Sequence, residues 1–188
     1  MTIQISDKVL YDDSKYDLIA CTGGKNIFDP SAHGITPAMI NTACWRGYIS
    51  TYNIKDNVLY LEKLVIQSAN ENYPEINGKT PVLKPSDTNN TNKPAEKYSG
   101  PYQYDLDMPV SFTGKVILGE QAQDILFQSG HHQVYDYEKV LLIQLENGVV
   151  TDIQDLSKKI KTIRLGIIEK TAFSNMLKEN RFRYTSSL

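Results

Sequence analysis

The stretch from Trp45 to Ile66, WRGYISTYNIKDNVLYLEKLVI, decides how this chain folds. Asp56 and Asn57 tolerate the left-handed backbone that a two-residue hairpin loop demands, so the stretch predicts two antiparallel strands joined there. With Lys55 opposite Val58, one face carries Ile54 with Leu59, Tyr52 with Leu61, Ser50 with Lys63 and Tyr48 with Val65. The other carries Asn53 with Tyr60, Thr51 with Glu62 and Ile49 with Leu64. The first face is apolar near the turn and the second is mixed, as in a sheet buried mainly on one side. A one-residue slip would turn Tyr52 and Leu61 outward, so the pattern is expected to fix the register. Trp45, Tyr52, Ile54, Leu59 and Leu61 are the expected core.

A second stretch has the same design. Tyr137 to Leu156, YEKVLLIQLENGVVTDIQDL, carries a near-ideal Asn147-Gly148 turn. Aligning the two turns places Ile54 with Leu145, Val58 with Val149 and Leu59 with Val150. A separate echo matches Trp45-Arg46-Gly47-Tyr48-Ile49 to Phe112-Thr113-Gly114-Lys115-Val116, at a shorter offset than the turns need. Together they suggest an internal duplication interrupted by an insertion, set against the fact that any two amphipathic hairpins look alike.

The run AMINTACWRGYISTYNIKDNVLYL resembles a segment of small uncharacterised bacterial proteins that share a Trp-Arg-Gly-Tyr β-hairpin. The resemblance covers Pro37 to Leu64. It implies a bacterial, cytosolic setting and carries no catalytic assignment.

The remaining chain supplies elements to close this sheet. Residues 3–21 predict short strands around an Asp/Ser turn, and Phe28 to Pro37 is a proline-broken connector. Ala38 to Ala43 suggests one helical turn. Residues 86–99, SDTNNTNKPAEKYS, have no apolar period and are expected to form a mobile loop. Tyr73, Tyr98, Tyr102 and Tyr104 would pin its ends to the core. Phe112 to Leu118 predicts a strand. After the second hairpin, Ser157 is placed as a helix cap with Gly166 as the stop, and Thr171 caps a second helix to Asn180. Ile167-Ile168 fits either a helix or a strand. The expected fold is thus a single α+β domain over residues 1–188. Its sheet is mostly antiparallel, built on the two hairpins and closed by C-terminal helices.

Chemistry is constrained more by what is missing. The chain's 188 residues carry a formal net charge of −2, which gives no electrostatic case for nucleic acid. No apolar run approaches membrane-spanning length, and a cytoplasmic protein is expected. Thr22-Gly23-Gly24-Lys25 lacks the phosphate-loop spacing, and no G-x-S-x-G elbow occurs. Cys21, His33 and Cys44 match no zinc spacing, and the adjacent His131 and His132 would point to opposite faces of a strand, so neither metal nor cofactor is expected. The catalytic alternative is a small hydrolase-type enzyme that uses Cys44 and/or His131 or His132, the histidine working with Cys44 or a nearby acid. The favoured expectation is a non-catalytic protein-binding protein, for instance one that neutralises a toxin as immunity proteins do. The candidate binding residues are Tyr60, Ile49 and Leu64 on the hairpin's second face, with Arg46 at its entrance. Oligomeric state is not legible.

Overall fold

The computed structural model describes residues 4–22, 26–84, 101–123 and 132–179, with side chains to residue 170. Among the described residues, nine strands form one sheet: β1 (Lys8–Tyr11), β2 (Ser14–Cys21), β3 (Tyr48–Lys55), β4 (Val58–Ile66), β5 (Val82–Leu83), β6 (Tyr102–Pro109), β7 (Gly114–Ala122), β8 (Tyr137–Glu146) and β9 (Val149–Asp155). One helix, α1 (Ser157–Glu179), follows. Among the described residues, no helix is long and apolar enough to cross a membrane.

The expected α+β architecture is therefore corrected to a mostly β one, with a single helix where two were expected. Gly166 does not stop the helix, and Thr171 lies inside it. A mid-helix glycine costs about 1 kcal/mol relative to Ala, too little to break a helix that is otherwise free of proline. Ile167 and Ile168 are helical. Ser157 does not cap in the expected way either. Its hydroxyl accepts from Val140 N at 3.0 Å, while Asp155 Oδ1 accepts from Ser157 N at 2.8 Å and serves the helix's first free amide. Ala38 to Ala43 forms no helix; Cys44 N donates to Asn41 O in a tight turn instead.

The sheet closes on itself. Its order runs β3-β1-β2-β7-β8-β9-β4, and β3 pairs with β4 to complete a ring of seven strands. All these neighbours are antiparallel except β1 and β3. Among the described residues, four tight turns share one backbone solution: Asp12-Asp13, Asp56-Asn57, Asn77-Gly78 and Asn147-Gly148 all have positive φ at both positions. The β4 edge facing away from β3 is divided. Val58 pairs with Val149 of β9, whereas Tyr60 to Ile66 pair with β6, which carries β5 beyond it.

The register of the β3–β4 hairpin is as expected from Lys55↔Val58 to Tyr52↔Leu61. Beyond it a bulge adds one residue on β4, so Ser50 pairs with Leu64 and Tyr48 with Ile66. The insertion turns Leu64 and Ile66 inward to join Leu59 and Leu61, and all four are buried. Tyr52 and Ile54 are buried as expected, but Trp45 is 69 % exposed. Tyr16, Tyr48, Tyr52 and Tyr104 join aliphatic side chains in the main core. A second, smaller cluster lies under α1, where Ile160 packs with Tyr137 and Val140.

The two hairpins meet but do not sit in equivalent surroundings. β3 has parallel β1 as its outer neighbour, whereas β8 has antiparallel β7. Gly114 opens β7, not the strand of the second hairpin that would correspond to β3. Of the tyrosines expected to pin residues 86–99, Tyr73 packs on Tyr102 with centroids 4.0 Å apart, and Tyr104 OH donates to Pro74 O at 2.8 Å. Tyr98 and the loop itself lie outside the described residues.

Candidate functional site

The hairpin's outer face is a lattice of charges. Tyr60 lies beneath Lys55, whose Nζ is 5.7 Å from the ring centroid, 2.8 Å from Asp107 and 3.9 Å from Glu62. Asn53 donates to Glu62 at 3.4 Å. Ile49 and Tyr60 are half-buried, and Leu64 is fully enclosed, so Leu64 is corrected from an outer-face binding residue to a core residue. The bulge after Tyr52 is the cause.

Trp45, at the hairpin's entrance, is one of the exposed large hydrophobic side chains, with Ile5 of the segment beside it another. Gly47 adopts φ +82°, and a Cβ there would sit 2.3 Å from Ala38 O, so the chain can turn into β3 only through glycine. The turn sends Cys44 inward, where its thiol donates to Tyr48 O at 3.4 Å, and leaves Trp45 outside. Trp45 N donates to Gln4 Oε1 at 3.2 Å, while Gln4 Nε2 donates to Thr42 O at 2.8 Å. Ile5 N donates to Ala43 O at 2.8 Å. These contacts tie the segment before β1 to the segment before β3.

Arg46 and Asp7 lock the arrangement. Arg46 Nε donates to Tyr48 O at 2.8 Å, Nη1 donates to Asp7 Oδ2 at 3.0 Å, and Nη2 donates to Asp7 Oδ1. Asp7 Oδ1 also accepts from Ser50 N at 2.6 Å. Burial pushes the Asp7 carboxyl up from its ordinary range, while Arg46 and the Ser50 amide pull it back. Arg46 and the Ser50 amide both donate to the carboxylate, which is the geometry an ionised carboxylate satisfies. Burial also raises the Tyr48 phenol to about 12.

Between these segments and the end of β2 lies a cleft of about 400 Å³. Ile5, Leu18, Ile19 and Ile27 give it apolar walls, Asp7 and Arg46 its charged part, and Trp45 its outer rim. Cys21 and Cys44 both line it. Burial pushes both thiols up, which keeps them protonated at neutral pH and suppresses nucleophilic attack.

Neither described histidine joins them. His132 is not part of the cleft lining; its ring stands edge-on to Tyr137 at 5.9 Å, and its Nδ1 is 3.9 Å from Asp136 Oδ2. His33 stacks on Phe28 at 5.0 Å. His131 lies outside the described residues. Among the described residues, no group of three or more His, Cys, Asp or Glu side chains is placed to hold a metal ion.

Sequence reasoning singled out Arg46 and Cys44 but missed Gln4, Ile5 and Asp7. No local pattern links Asp7 to Arg46, because the two meet only when β1 pairs in parallel with β3. No family model, no curated protein and no solved structure matches the chain.

Proposed function

We propose that the protein acts by binding another protein, with the Trp45 cleft as its recognition site. One observation carries this reading: the chain's single tryptophan is 69 % exposed on a backbone held from both sides, beside a cleft of about 400 Å³. Exposed tryptophans on rigid supports are typical interface anchors, since they offer large contact area with little entropy to lose. Ile5, 39 % exposed, extends the apolar rim. Two further observations favour binding over catalysis: both cleft thiols are pushed up in pKa, and the described histidines line other places.

Affinity capture from the native host tests it. Wild-type protein should retain a discrete partner that Trp45→Ala releases, with no change in thermal unfolding. Capture that survives Trp45→Ala but is lost in Tyr60→Glu would move the site to the outer face of the hairpin. Saturable turnover abolished by Cys44→Ala would replace binding with catalysis.

A further inference from the structure

Resting on that reading, we propose that the cleft takes an extended peptide segment of the partner. One neutral apolar side chain would enter beside Trp45, and its main chain would lie between Arg46 and the edge of β2.

Three features choose this occupant. The first is charge. Among the described residues that line the cleft, Asp7 and Arg46 are the only ionisable groups besides its thiols, and they neutralise each other. A carboxylate entering would meet Asp7 and an ammonium would meet Arg46, so a neutral group is favoured. The second is the donor count at Arg46. A guanidinium has five N–H groups, and three are used on Tyr48 O and the two Asp7 oxygens. With 35 % of its side chain exposed, Arg46 keeps N–H capacity for a neutral acceptor such as a peptide carbonyl.

The third feature is the strand edge. β1 covers β2 only from Ser14 to Asp17, and Leu18 N to Asp7 O is the last backbone hydrogen bond between the two segments. Beyond it, no backbone bond among the described residues joins Ile19 or Ala20 to residues 4–6, and both residues line the cleft. A bulge between Leu18 and Ala20 bends β2 at this point. An extended backbone can use such an edge, as in recognition by strand addition, whereas a small neutral molecule uses only the apolar walls. The volume lies at the small end of ligand pockets, about 300–1,000 Å³, which suits one large side chain with its adjoining backbone.

The test is a random octapeptide display library, its peptides capped at both ends, selected on the full chain and re-bound to Trp45→Ala and Ile5→Asp. Both variants alter exposed residues, and equilibrium unfolding checks that each remains folded. The expected result is a set of enriched peptides sharing one large apolar residue without a flanking charge. Their affinity should fall at least about tenfold in both variants. Enriched peptides centred on an acidic or basic residue, or peptides that bind both variants as tightly as wild type, would overturn the proposal. An empty selection would overturn it as well. If host-protein capture still depends on Trp45 in that case, binding at the cleft stands and only the peptide class falls; if capture is also absent, both fall.

Discussion

Val58 and Val149 face each other across the tips of the two hairpins, and this one pair closes the sheet between β4 and β9. Leu59 N donates to Gly148 O and Val150 N donates to Asn57 O, each at 2.8 Å, so each hairpin supplies one donor and one acceptor. The chain between β6 and β7 adds to the junction through Val110 N to Leu59 O at 2.9 Å and Gly148 N to Phe112 O at 2.8 Å.

Gly148 is accordingly the most demanding residue of the closure. It sits at φ +81°, and a Cβ would fall 2.1 Å from Val110 O. Gly148→Ala combines left-handed strain with that overlap and should cost about 2–4 kcal/mol in urea unfolding. A cost below about 0.5 kcal/mol would mean that the hairpin tips do not meet as described.

Trp45 and Leu64 exchange the roles that the sequence suggests for them. Trp45→Ala should change stability by no more than about 0.5 kcal/mol, as expected for an exposed position. Leu64→Ala should cost about 2–5 kcal/mol, because it empties a fully enclosed site. Chemical denaturation of the two variants side by side decides it; the reverse order would restore Trp45 to the core.

Much of the first hairpin was legible because its turn and its alternation are local. Asp56-Asn57 fixes the pairing, and every pair out to Tyr52↔Leu61 follows from it. The bulge beyond that pair was not legible. Nothing in TYNIKDNVLYLEK marks the extra residue, which is tied to β4 having partners on both sides. Trp45 misled for a related reason: a large aromatic beside a strand is ordinarily core, and only the turn at Gly47 against Ala38 leaves it outside. Gly166 misled because a helix stop was inferred from composition, whereas the anchorage of α1 comes from tertiary contacts. Arg164 donates to Tyr137 O at 2.6 Å and pairs with Glu138, and Ile160 is buried beneath the helix.

Gly166→Ala is the corresponding test. Among the described residues, no neighbour lies within 4 Å of a Cβ there, and the glycine is mid-helix. The substitution should stabilise the protein by about 0.5–1 kcal/mol. A loss of stability would place a helix end at this position after all.

The Asp7–Arg46 pair sets a pH dependence. Burial holds the Asp7 carboxyl above its ordinary 3.8, so the folded state keeps this proton more firmly than the unfolded chain does. Stability from this group is therefore greatest below 3.8 and declines as pH rises through the raised value. Arg46→Met removes the main opposing influence and extends that window upward. At neutral pH it should cost about 2–3 kcal/mol, below the full penalty for breaking a buried pair because Arg46 remains partly in water. The deficit should shrink as pH falls through the raised value, where Asp7 takes up a proton. A deficit unchanged across that range, in unfolding measured at each pH, would show that Asp7 is not the group left exposed to the loss.

Site-specific photo-crosslinking tests the functional account most directly. A benzophenone side chain is placed either at Trp45 or at Tyr60, and each protein is irradiated in extract from the native host. A discrete protein adduct from position 45, absent from position 60, is the predicted result. An adduct from position 60 alone, or none from position 45 in a folded protein, would contradict recognition at the cleft.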